Sequence, residues 1–436
     1  MRTLFFVLGC VILAIPCDAA TITVDDDWPA DFNSIQPAID SASDGDMIIV
    51  QPGLYAESIH FLGKNITLTG TNLAGPNTIS ETVIDGSVLF NGSEDPNCTL
   101  IGFNINGVIA IGPPLDSNGV PDPNYEPQST HATISHCVLK GNSVYAGTVI
   151  SFCDGIISDC LVADNIASKG SLVITATILY CHGLIKNCTI VNNYSANGVQ
   201  VLWYGGHVTV DNCIIYGNLG DQVFVPIDAS ASIRYTNIQG GLNGILGGGN
   251  VNWGPGNIDA DPCFIREGYW EFEPRRLFEG DYRLLEDSLC IDAGDPNFMA
   301  VPNETDLDGN PRVRGDAVDM GAYEFVPAIV ATIVIRPETL NLTSKGKWIT
   351  CRIWLPEDYN TGEIDSNSIF LEGEVGPESV QVNEQAQVMI AKFKRSEVQE
   401  MLEPGEVELI VTGKLADGTV FTGTDTIKVI DKGKKK

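Results

Sequence analysis

The chain has 436 residues, 56 of them Asp or Glu against 25 Lys or Arg, for a net charge of −31. That balance excludes a nucleic-acid binder, which needs a basic footprint, and electrostatic attachment to an anionic membrane. With 44% hydrophobic and 19% charged residues the chain is not disordered, and 45 Gly and 23 Pro suit many short strands and turns.

The first element in chain order is a leader. Arg2 is followed by an apolar run from Leu4 to Pro16, and Cys17-Asp18-Ala19 offers small residues for cleavage after Ala19. The run is too short to span a bilayer, so residues 1–19 are expected to be a signal peptide and the mature chain secreted or held at the cell surface. Twelve cysteines include Cys10 and Cys17 in the leader, which leaves ten.

Residues 31–43 place Phe32, Ile35, Ile39 and Ala42 on one helical face. A turn at Asp44-Gly45-Asp46 and a strand at Met47–Val50 follow. The loop 112–129, with five prolines and Asp116, Asp122 and Glu126, is a surface insertion that could wall a groove.

A repeat occupies the middle of the chain. ISHCVLKGN (134–142), ISDCLVADN (157–165), IKNCTIVNN (185–193) and VDNCIIYGN (210–218) align without gaps, and IRYTNIQGG (233–241) is a degenerate fifth copy. Cys137, Cys160, Cys188 and Cys213 are 23, 28 and 25 residues apart, and the runs between them lack helical periodicity. A period near 25 with short β-rich runs is a solenoid pattern. In a parallel β-helix equivalent positions stack about 4.8 Å apart. Four columns are then expected. Ile134, Ile157, Ile185 and Val210 form one, and the four cysteines, as buried reduced thiols, form another. Leu139, Val162, Ile190 and Ile215 form a third. Asn142, Asn165, Asn193 and Asn218 form an asparagine ladder. Cys153 and Cys181 lie seven residues before their column cysteines. At about 25 residues per coil, residues from about 46 to 325 would give about eleven coils.

Six residues before the column cysteines stand His131, Asp154, His182 and His207, with Ser230 in the fifth copy. Phe152, Tyr180, Trp203 and Tyr204 are close by. Acid and base groups in one register beside aromatics suit a sugar, whose apolar face stacks on a ring. Asp154, His182, His207 and Tyr180 are the candidate catalytic residues, with proton removal and leaving-group protonation as in uronate β-elimination or epimerisation. His131, Trp203, Tyr204 and Phe152 are the candidate substrate contacts. Such chemistry also needs a cation for the substrate carboxylate. The nearest are Lys140, Lys169 and Lys186, none in the histidine register. The competing reading is a stack of turn residues that hydrogen-bond along the solenoid.

Asp306-Leu307-Asp308-Gly309-Asn310 has the alternating carboxylates of a calcium loop, with Asp319, Asp292 and Glu324 near enough in sequence to complete a Ca2+ site. The alternative is a polar turn in which Arg312 or Arg314 pairs with Asp319. Residues 328–432 alternate in short strands between Gly, Pro and Asp turns and are expected to form an Ig-like β-sandwich of about seven strands, followed by the basic tail 433–436.

Two resemblances accompany these readings. The helix, turn and Pro52-Gly53-Leu54-Tyr55 resemble the N-terminal cap and first coil of pectate-lyase-like right-handed β-helix proteins. The runs IDADPCF, DYRLLEDSLCIDAGDPN and DLDGNPRVRGDAVDMGAYEF, within 258–325, resemble the choice-of-anchor Q module of bacterial surface and secreted proteins. The expectation is therefore all-β: a right-handed parallel β-helix over 20–325 with a capping helix, then the sandwich. The function expected is structural or polysaccharide-binding, with a polysaccharide lyase or uronate epimerase as the alternative. The partner is a polysaccharide or envelope glycan, and the chain is expected to be a monomer.

Overall fold

The computed structural model describes residues 19–27, 29–71, 78–111, 129–145, 149–168, 177–202, 206–272, 275–416 and 419–431. Residues 1–18 of the expected leader, residues 112–128 of the expected loop and the tail 433–436 lie outside them. Among the described residues no helix is long and apolar enough to cross a membrane.

Three parallel sheets run the length of a β-helix. The first has ten strands, from Thr21–Val24 to Asn250–Trp253, each paired with the next coil. The second has eight, and the third has ten with a partly doubled ladder. The expected columns are in register. Ile134, Ile157, Ile185, Val210 and Ile233 align in the first sheet. Leu139, Val162, Ile190, Ile215 and Ile238 align in the second. All ten are buried in one core.

Each repeat is two strands joined by a corner. The residue before the column cysteine (His136, Asp159, Asn187, Asn212, Tyr235) has φ near +50°, which turns the chain. Asp and Asn tolerate that left-handed conformation, which explains their place in the motif. The next residue then points inward. Cys137, Cys160, Cys188 and Cys213 are fully buried and unbonded to one another as disulfides. Each thiol donates to the carbonyl two residues earlier, at 3.0–3.3 Å. Burial pushes Cys160 and Cys213 well up.

At the next corner the asparagine ladder is continuous. Oδ1 of Asn165, Asn193 and Asn218 accepts the backbone N–H of Asn142, Asn165 and Asn193, at 2.9–3.1 Å. Each Nδ2 donates to the carbonyl of the coil before. The buried amides thus bond to one another and to the backbone along the stack, as a buried polar column requires.

The expected helix forms over Ile35–Ser41, with Ile35, Ala38 and Ile39 buried against the core. The Glu57 carboxylate accepts from the backbone N–H of Ile35 and Gln36 and so caps its start.

The stack ends earlier than the period suggests. The last strand of the first sheet is Asn250–Trp253, and residues 258–325 add no coil to it. They form two antiparallel pairs, Phe264–Arg266 with Asp281–Leu284 and Tyr269–Phe272 with Arg275–Phe278, and then a run of turns. This module lies along the outer face of the second sheet. Leu161, Ala163, Val191 and Ile214 from the solenoid share a buried cluster with Phe264, Tyr282, Leu284, Leu307, Met320 and Tyr323. Burying each large side chain there contributes about 1.5–3 kcal/mol.

Residues 329–430 form the sandwich: a five-stranded and a four-stranded sheet around one core that includes Ile335, Cys351, Phe393 and Phe421. It has nine strands where about seven were expected. Arg266 of the module reaches it, donating to the Gly373 carbonyl at 2.8 Å and covering the Phe370 ring.

Candidate functional site

The polar column exists. The sheet register continues Leu184 opposite Thr209 and Ile156 opposite Leu184, which sets His131, Asp154, His182 and His207 on successive coils. His207 pairs directly with Ser230. The chain enters the first sheet here from the third, through Cys153 and Cys181, whose side chains point into the core. Residues on either side of each buried cysteine therefore point outward together.

Contacts join the column in two pieces. His182 Nδ1 is 3.0 Å from Asp154 Oδ1, and the same oxygen accepts the His182 backbone N–H at 3.1 Å. His207 Nδ1 is 2.9 Å from the Ser230 hydroxyl. Burial raises the Asp154 pKa, but the hydrogen bonds and charge of His182, with the Ser129 hydroxyl, outweigh it and hold the carboxyl below its ordinary value. The His182 and Asp154 side chains keep 22% and 26% of their exposure, so the pair is open to a ligand. His131 and His207 are exposed.

Phe152 and Tyr180, two residues before Asp154 and His182, stack on each other at 4.8 Å with planes 14° apart. Both adopt φ near +55°. A bulky aromatic is an unfavourable choice for that conformation, and such strain often marks a working position. Trp203 and Tyr204 lie outside the described residues, as does Lys169.

Gly206 was not anticipated. Its φ is +83°, and a Cβ there would sit 3.1 Å from the His182 ring. The glycine leaves the space that His182 occupies. Its signal in the sequence is its place directly before His207.

The cations do not join this corner. Lys140 donates to the Gly280 carbonyl at 2.8 Å and pairs with Glu279. Lys186 pairs with Glu304 at 3.5 Å and faces the Phe298 ring. Both hold the 258–325 module.

The three carboxylates considered for Ca2+ are apart in function. Asp306 is buried and accepts from the backbone of Asp308, Asn310 and Glu324, closing its own turn. Asp308 is paired with Arg283. Asp319 accepts from the backbone of Asp292 and Phe325. Arg312 does not pair with the Asp319 carboxylate. It is fully buried, 3.1 Å from Glu324 and 3.4 Å from Asp159 of the solenoid, and donates to the Gly321 carbonyl. Among the described residues no three His, Cys, Asp or Glu side chains are placed to hold a metal.

The chain matches no family model and no curated protein. Among solved structures it is similar to a pectin methylesterase mutant in complex with a hexasaccharide, at 14% identity. That match covers 52% of this chain and 80% of the other, with a TM-score of 0.21. So low a score adds nothing to the argument, and the parallel β-helix rests on the strand register itself.

Proposed function

We propose that the protein is a secreted or cell-surface β-helix that binds a polysaccharide through the outer corner built by Phe152, Tyr180, Asp154 and His182. One observation carries this reading: a stacked aromatic pair in a strained conformation adjoins a solvent-open Asp–His pair. Rings offer the apolar face of a sugar a surface, while the Asp–His pair offers hydrogen-bond donors and acceptors for its hydroxyls. The leader at 1–19 and the choice-of-anchor Q resemblance support export.

A lyase or uronate epimerase is the second reading, and the 3.0 Å contact between His182 and Asp154 favours it. A His held by a carboxylate can act as a general base. Against it, Lys140 and Lys186 are committed to the module. A glycan array combined with a screen for the absorbance of unsaturated uronate products tests both. Binding without product supports the first reading, and product formation lost in His182→Ala establishes the second. Neither binding nor product would sink both.

A further inference from the structure

The sandwich carries a feature unlike the rest of this acidic chain. At one end of its four-stranded sheet a cleft of about 410 Å³ is lined by Lys345, Lys347, Trp348, Lys394 and Glu378, among others. Sheet register builds it. Trp348 opens one strand, and Lys394 closes the next, directly opposite it. The loop 344–347 forms the rim. Arg395 fixes that loop by donating to the Ser344 hydroxyl at 2.8 Å and the Trp348 carbonyl at 3.2 Å. Gly346 lies against the guanidinium, where a Cβ would come within 2.6 Å of Cζ. The Lys347 ammonium sits 4.6 Å from the Trp348 ring centroid. Lys394 is paired with Glu397, while Lys345 and Lys347 make no ion pair among the described residues.

We infer that this cleft is a second ligand site, selective for an acidic sugar such as a uronate residue of a polysaccharide. Trp348 offers a ring to the pyranose, and Lys345 and Lys347 offer ammonium groups to its carboxylate. A long polyphosphate does not fit the surroundings. Glu378 and Glu397 border the cations, and the whole chain carries −31, so only a locally placed charge is attracted. The inference shares with the reading above only that the chain meets glycans. It uses none of the residues of the solenoid corner.

The test is titration calorimetry of the full chain with a short oligogalacturonate and with a neutral cello-oligosaccharide, at low and at physiological salt. The oligogalacturonate is expected to bind and to weaken with salt, since exposed charges are screened. Affinity should fall about tenfold or more in Lys345→Gln/Lys347→Gln and in Trp348→Ala. Both lysines are exposed, so the double variant should fold even if Trp348→Ala does not. Absence of uronate binding, equal affinity for the neutral sugar, or full affinity in the lysine variant would each overturn the inference. Loss in His182→Ala with retention in the lysine variant would assign the binding to the solenoid corner instead.

Discussion

Asp154, Asp159 and Asp164 lie at intervals of five along one coil and meet three different surroundings. Asp154 is partly open and holds His182. Asp159 is buried under the 258–325 module and faces Arg312. Asp164 is fully buried, where it accepts from the Tyr282 hydroxyl and pairs at 3.8 Å with Lys140. The coil supplies similar carboxylates, and the covering module decides which become structural. A solenoid flank sealed by a second layer uses its charges to hold that layer. An uncovered corner keeps its charges available to a ligand.

The largest expected effect is on the sealed flank. Among the described residues Arg312 is the guanidinium that faces the buried carboxylates Asp159 and Glu324, with Asp306 and Asp319 close. Arg312→Met should cost about 3–5 kcal/mol, because it leaves the buried Asp159 carboxylate without its counter-charge. Urea denaturation followed by tryptophan fluorescence measures it. A loss under about 1 kcal/mol would mean that apolar packing alone holds the module.

The two regions also differ in how far the sequence disclosed them. Stacked coils place equivalent residues in equivalent environments, so the columns at Ile134, Cys137, Leu139 and Asn142 repeat themselves and are legible. The Asp154–His182 contact followed from the same register. The docking of 258–325 was not legible, since its key pair joins Asp159 to Arg312 across a third of the chain. One trace existed. The strands Leu161–Ala163 and Thr189–Val191 do not alternate but are buried at every position, as a strand covered on both faces must be. The Asp306–Asn310 pattern left a Ca2+ loop and a polar turn both open because one spacing of carboxylates serves two ends. It can wrap a cation or, as here, accept the backbone donors of its own turn.

Acid should act on the two regions with opposite sign. Burial raises Asp306 from 3.8 to about 6, with Asp308 adding to it. Burial likewise raises Glu324 from 4.5 to about 8, against the pull of Arg312. A carboxyl whose pKa is raised by folding stabilises the fold below its unfolded value and loses that contribution as pH rises through the folded one. The module's hold should therefore weaken as pH climbs from about 4 to about 8. Asp154 is lowered instead, so its contribution is present above the ordinary carboxylate value and is lost as pH falls below it. Urea midpoints across pH should show Glu324→Gln flattening the neutral side and Asp154→Asn the acid side. Profiles identical to the native one in both variants would refute the contrast.

The smallest effect on stability, and the sharpest on function, is expected at the open corner. Partly exposed ion pairs contribute about 0–1 kcal/mol, because water already solvates both groups well. His182 and Asp154 are such a pair, so His182→Ala should shift the denaturation midpoint little. The backbone N–H of residue 182 still reaches Asp154, which keeps part of the local bonding. A sugar seated on Phe152 and Tyr180 would nevertheless lose its imidazole partner, and affinity for the glycan found by array should fall about tenfold, the scale of one lost hydrogen bond. The opposite pattern would make the corner part of the scaffold. That pattern is a stability loss above about 2 kcal/mol with unchanged affinity, beyond what a solvated pair can supply. In that case Asp154 would belong with Asp159 and Asp164, and the difference between the covered and uncovered flanks would be one of accessibility alone.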